Sequence, residues 1–175
     1  LTAAKALAGM SGRIIALEPN PQTLARFRAN LAANPELLTG LKVDVLDIGV
    51  ADRDTTFELL VDTRNLGASS IAVQTRSTSD TNEKNAVTIH CRPLVEVLSD
   101  LNVERIDALK IDIEGAEDLA LYPYLDIAPN SLLARMIFIE NSAHLWSKDL
   151  FKKIESRGYK CIFRSRMNSV YSLED

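Results

Sequence analysis

Three carboxylates, Asp112, Glu114 and Glu117, crowd around one glycine, Gly115. They follow Ile106 to Ile113, an alternating, β-branched-rich run that reads as a short, well-buried strand. Gly115 stands where such a strand must turn. Glu117-Asp118-Leu119-Ala120-Leu121 then reads as a first helical turn, with acids at the positive end of the helix dipole. The acids thus fall at the carboxyl end of a strand, the edge at which open α/β sheets bind ligands. Glu117 and Asp118 are equally explained as residues that cap and charge a helix N-terminus. Asp112 is not, because a carboxylate inside an apolar strand must be paired, metal-bound or open to a cleft.

A second acid-bearing strand end follows. Ala134 to Ile139 reads as a strand and stops at Glu140-Asn141. If the two strands are neighbours, Asp112, Glu140 and Asn141 face one cleft. Three oxygens there suit a hard cation such as Mg²⁺, and they suit equally a metal-free site in which one carboxylate is a base. The metal-free version is favoured. Asp112 is the first candidate for base and Glu140 the second, with Glu114 beside them. Lys110 alternates with Asp112 along the strand, so it shares a face with that acid and can pair with it or orient an acceptor. His144 lies near this edge but carries little weight alone, and His90 is given no role.

Nearer the start, Arg13 to Leu17 reads as a strand that stops at Glu18-Pro19-Asn20-Pro21. An acid at the end of an early strand can accept from both ribose hydroxyls of a nucleotide cofactor. A surface acid capping the following helix is the alternative. Asp47, at the end of Leu41 to Ile48, could meet an exocyclic amine while Ile48 packs on a base. A solvated strand end explains it as well.

The elements that must position these residues alternate along the chain. Helices are expected at Leu1 to Ala8, Thr23 to Ala33, Leu94 to Leu101, Leu119 to Leu125 and Leu150 to Ser156, with Pro123 marking a break. Further strands are expected at Thr56 to Val61, in hairpin-like continuation of Leu41 to Ile48, and at Val87 to Cys91. Tyr159 to Arg164 and Val170 to Leu173 make a closing β-hairpin. Asp62 to Asn85 is polar and irregular and reads as a long flap over the acceptor side. Strands alternating with helices predict an α/β fold, a mostly parallel sheet with helices on both faces and an antiparallel hairpin at its end.

Composition narrows the class. A chain of 175 residues with 46% hydrophobic content forms one domain with a real core. A net charge of −4 and no basic cluster exclude a nucleic-acid footprint. No apolar run is long enough for a bilayer and no signal pattern stands at the start, so a cytoplasmic protein fits best. Cys91 and Cys161 are far apart in predicted strands and read as buried free thiols. The chain opens with Leu1 in a helical pattern, as a piece of a longer chain would.

Taken together, Glu18-Pro19-Asn20-Pro21 after an apolar strand, Leu109-Lys110-Ile111-Asp112-Ile113-Glu114-Gly115-Ala116-Glu117, and Phe138-Ile139-Glu140 resemble the FkbM-type S-adenosylmethionine-dependent methyltransferases. The Lys-Ile-Asp-Ile-Glu-Gly-Ala-Glu string is the specific part, and the resemblance covers nearly the whole chain. It implies a Rossmann-like class I methyltransferase sheet ending in the antiparallel hairpin, and methyl transfer to a hydroxyl of a sugar or other small-molecule acceptor. It also implies that Glu18, Pro19 and Asn20 meet the cofactor and that Asp112 sits beside the methyl group, with Glu114 and Glu117 on the same edge. Two departures stand out: the first strand with its glycine-rich loop does not precede Leu1, and Leu94-Val95 stands where the family often carries Leu-Asp. The rival readings are an NAD-dependent oxidoreductase, whose ribose Glu18 would serve as well, and a non-catalytic Rossmann-like binding module.

Overall fold

Gly12–Leu17 (β1) and Leu41–Leu46 (β2) run parallel in a two-stranded sheet, joined by the helix Pro21–Ala32 (α2). The computed structural model describes residues 2–7, 9–61, 70–71 and 85–174. A short helix, Thr2–Ala6 (α1), leads in. Asn20 caps α2, its Oδ1 accepting the Gln22 N–H at 3.0 Å, and Pro21 occupies the first helical position, where a missing N–H costs nothing. Arg13 braces the sheet and ties it to the rest: its Nε donates to Asp44 Oδ2 on β2 at 2.6 Å, and its Nη1 donates to the Leu101 carbonyl, outside the sheet, at 2.7 Å.

A second sheet is mixed. Gly49–Val50 (β3) pairs parallel with Asn85–Arg92 (β6). That strand pairs antiparallel with Thr55–Val61 (β4), which in turn pairs antiparallel with Ser70–Ile71 (β5). The helix Leu94–Asp100 (α3) follows β6.

The third sheet carries the acid-rich strand. Ala108–Ile111 (β7) runs parallel to Met136–Glu140 (β8). The hairpin of Tyr159–Arg164 (β9) and Asn168–Leu173 (β10) then adds β10 antiparallel to β8, giving the order β7-β8-β10-β9. Glu117–Ile127 (α4) and Leu150–Ser156 (α5) pack with α3 on one face of this sheet, burying Ile111, Ile137, Ile139 and Tyr171. Phe138, between two fully buried isoleucines, turns the other way and is 37% exposed. Tyr124 knits the core: its hydroxyl donates to the Leu132 carbonyl at 2.6 Å and accepts the Ala134 N–H at 3.0 Å.

The chain is therefore α/β with mixed sheets, which corrects the expectation of one mostly parallel sheet. Among the described residues only three strand pairs, β1–β2, β3–β6 and β7–β8, are parallel, and the strands fall into three sheets. The physical reason is the β4–β6 pairing. It joins two strands that are distant in sequence into an antiparallel ladder running from Thr55↔Cys91 to Val61↔Asn85. A second correction concerns Pro123, which lies inside α4 and does not end it. Ala120, Leu121, Tyr124 and Leu125 are all buried on both sides of it, and that packing outweighs one lost backbone hydrogen bond. The expected flap falls mostly outside the described residues; within it only β5 and the start of β6 are placed. No described helix is long and apolar enough to cross a membrane.

Candidate active site

The carboxyl ends of β1 and β7 border a cavity of about 290 Å³, at the small end of ligand-sized pockets. β1 contributes Leu17, Glu18, Pro19 and Asn20, and the first turn of α2 adds Thr23. The turn after β7 contributes Asp112, Ile113 and Glu114. The mixed sheet closes the third side with Gly49 and Val50 of β3, Leu59 of β4, and Ile89 and Cys91 of β6.

Glu18 is held in place from both ends. Its N–H donates to the Leu46 carbonyl at 3.0 Å, continuing the β1–β2 ladder, and its Oε1 accepts the Asn20 N–H at 2.9 Å. Burial pushes its carboxyl above the ordinary range, against the opposing pull of that N–H. Oε2 makes no hydrogen bond among the described residues and is available to a ligand. Thr23 Oγ1 is buried at the cavity with no hydrogen-bond partner among the described residues. A buried hydroxyl left unpaired is costly, and a polar ligand in the cavity would satisfy it.

At the other strand end, Lys110 Nζ donates to Asp112 Oδ2 at 2.6 Å, with both side chains well exposed. Ile111 pairs with Ile139, so Asp112 and Glu140 leave adjacent parallel strands at the same level. Asp112 lines the cavity; Glu140 stands beside it and accepts from Ser142 Oγ at 3.2 Å. Glu114 faces the cavity in the left-handed backbone region, at φ 56°. Lost solvent raises its carboxyl above the ordinary range, and the charges of Glu140, Asp112 and Glu117 add to the shift.

Glu117 sits elsewhere. It is fully buried, its Oε1 accepts the N–H groups of Ile113 at 2.9 Å and Gly115 at 3.2 Å, and its Oε2 accepts from Trp146 Nε1 at 2.8 Å. Asp118 next to it takes the Ser147 N–H and hydroxyl, each at 2.8 Å. The two acids shape the β7–α4 turn and lash it to the 146–148 segment. Gly115 completes that turn at φ 97°, where a Cβ would stand 2.4 Å from Leu145 Cδ1. β7 stops at Ile111, short of the expected Ile113, whose N–H goes to Glu117 and not to a ladder.

Asp47 is exposed, and neither it nor Ile48 lines the cavity. Gly49 does, in close contact with Pro19 and Cys91: a Cβ on it would meet Cys91 Sγ at 2.5 Å. Cys91 is a free, buried thiol, pushed up to about 11 by burial. Asn141 is engaged by the hairpin. Its Oδ1 accepts from Ser169 Oγ at 2.7 Å and its Nδ2 donates to the Ser165 carbonyl at 2.9 Å. Among the described residues no group of three or more His, Cys, Asp or Glu is arranged to hold a metal ion. His90 pairs with Asp54 at 2.8 Å on the exposed side of β6.

Thr23, Gly49, Leu59, Ile89 and Cys91 were not singled out as site residues by their sequence pattern. The one signal was local: Gly49 adjoins Asp47-Ile48, and a glycine at a strand end marks a close approach.

No curated protein and no solved structure matches the chain significantly. The FkbM methyltransferase domain profile matches residues 1–161. With nearly all of its length matched, and with the Asp112 to Glu117 turn and Glu18 inside that match, the chain belongs to the FkbM methyltransferase family.

Proposed function

We propose that this methyltransferase is S-adenosylmethionine-dependent and methylates a hydroxyl oxygen of a sugar or other small metabolite, on a Rossmann-like framework of the class I type. The observation that carries the reading is that Glu18 at one strand end and Asp112 at another border the same cavity. The donor set fits the cofactor: a carboxylate with an open oxygen for a ribose diol, an unpaired buried hydroxyl at Thr23, and an apolar wall from Leu59, Ile89 and Cys91 for a base.

When bound, S-adenosylmethionine supplies an electrophilic methyl group. The chain's own residues do the rest. Glu18 accepts from the ribose hydroxyls, with the Asn20 N–H fixing its orientation. Asp112 takes the proton of the acceptor hydroxyl on Oδ1, while Lys110 holds Oδ2 and sets the carboxylate's orientation. Glu140 and Glu114 add negative potential beside the acceptor, and Glu117 acts as a positioning residue through the turn it ties. Asn141 is occupied by the hairpin, so the reading assigns it no cation, and chelator should leave turnover unchanged.

Calorimetry with S-adenosylmethionine, S-adenosylhomocysteine and NAD side by side tests the assignment. Binding of the first two and not of NAD is expected. NAD binding alone would replace the reading with an oxidoreductase, and no binding would leave a non-catalytic module. Asp112→Asn should cut turnover far more than cofactor affinity, and parental turnover in a folded variant would remove Asp112 from the mechanism.

A further inference from the structure

Among the described residues, the charged ones that line the cavity are all acids. Glu18, Asp112 and Glu114 bring three carboxylates, and no described lining residue is a lysine, arginine or histidine, although the chain carries 20 Lys and Arg. Lys110 offsets one of the three from the exposed side. Glu114 is the least compensated. It makes no hydrogen bond or ion pair among the described residues, and it stands in the field of Asp112, Glu140 and Glu117. Its backbone occupies the left-handed region, which strains a residue other than glycine. A glycine or asparagine would make the same turn with less strain; what glutamate adds is the carboxylate at the cavity.

We infer that the cavity discriminates by charge, its carboxylates, and Glu114 in particular, holding the cationic sulfonium form of the cofactor in preference to the neutral thioether that remains after methyl transfer. This rests on the reading above that the cavity takes S-adenosylmethionine. The two forms differ by one methyl group and one positive charge, so a field of acids that the described residues offset only at Asp112 acts on one and not on the other. An attraction that favours the ground-state cation does not speed the chemical step. Its benefit is in turnover: the product is released more readily than the cofactor, and product inhibition is weak. A carboxylate several ångströms from the charge, in a partly wetted cavity, changes affinity by about fivefold to tenfold, and added salt reduces the effect.

The test is calorimetry on the whole chain at low and high salt with three probes: S-adenosylmethionine, S-adenosylhomocysteine and sinefungin, which carries a protonated amine in place of the sulfonium. In Glu114→Gln the affinity ratio of S-adenosylmethionine to S-adenosylhomocysteine should fall by about fivefold, and the sinefungin ratio should fall with it. Affinity for the neutral S-adenosylhomocysteine should barely move. Asp112→Asn serves as a second neutralised variant in case Glu114→Gln folds poorly at its left-handed position. Ratios unchanged in the folded variants and insensitive to salt would overturn the inference while leaving the cofactor assignment standing. Failure of all three probes to bind the parent chain would overturn the cofactor assignment, and the inference with it.

Discussion

Glu18 and Glu114 both titrate above the ordinary carboxylate range, Glu18 through burial and Glu114 through lost solvent and then the charges of Glu140, Asp112 and Glu117. The folded chain therefore holds these two protons at a pH where the unfolded chain has released them. Their contribution to stability is fully present below the unfolded value of 4.5 and is lost as pH rises through the raised folded value. Once pH has risen past the raised value, the charged carboxylates are held at a cost to folding, a common signature of groups retained for binding. Glu18→Gln should accordingly raise the melting temperature at pH 7, and the gain should disappear below about pH 4.5, where the parent is protonated too. Glu18→Ala, which removes the acceptor outright, should bind S-adenosylmethionine more than tenfold less tightly, since two hydrogen bonds to a charged acceptor are worth roughly 2–4 kcal/mol. Thermal melts at the two pH values and calorimetry check both halves. Glu18→Gln melting lower at pH 7 and Glu18→Ala binding unchanged would make Glu18 a structural cap.

The turn between β7 and α4 shows what one element asks of its residues. Glu117 satisfies two N–H groups of the turn with one oxygen and Trp146 with the other, all in a fully buried position. Glu117→Ala leaves those donors unpaired, and a loss of about 3 kcal/mol or more is expected. Trp146 is the chain's one tryptophan, so its emission should shift to the red in the variant and report the broken contact directly. Gly115→Ala should cost about 1–3 kcal/mol, from a positive φ and a methyl placed against Leu145; denaturant melts measure it, and a neutral result would mean that the turn readjusts freely. This turn was legible in the sequence, because strand, glycine and acids follow one another within ten residues and local chemistry determines their order. The terminal hairpin was legible for the same reason. The division of labour among the acids was not: Asp112, Glu114 and Glu117 look alike in sequence, and only the fold directs two toward the cavity and one into the core. The antiparallel β4–β6 ladder was not legible either: Thr56 to Val61 reads as a hairpin-like continuation of the strand before it, whereas β4 pairs with β6, a partner beyond the whole 62–84 stretch.

At the scale of the molecule, strands of all three sheets, or the turns that end them, line the cavity, and Gly49 stands where the mixed sheet meets Pro19 of the β1 end. It pairs with Cys91 in the β3–β6 ladder, packs against Pro19 beside Glu18, and would carry a Cβ only 2.5 Å from Cys91 Sγ. The close fit is thus inside the mixed sheet, between β3 and β6, where Cys91 stands in the apolar wall with Leu59 and Ile89. Gly49→Ala should force β3 from β6 and destabilise by about 1–3 kcal/mol, the usual range for overpacking. Because the displaced residues line the cavity, the same variant should weaken S-adenosylmethionine binding, even though Gly49 offers a ligand only its backbone. Cys91→Ala alone should cost about 1 kcal/mol, from a small void in the wall. Combined, the two should not add: removing the sulfur opens the space that the new methyl needs, so the double variant should recover both stability and affinity relative to Gly49→Ala. A double-mutant cycle on melting temperature and on cofactor affinity measures this coupling. Strict additivity in both readouts would show that the Gly49–Cys91 contact does not set the wall, and that the mixed sheet borders the cavity without shaping it.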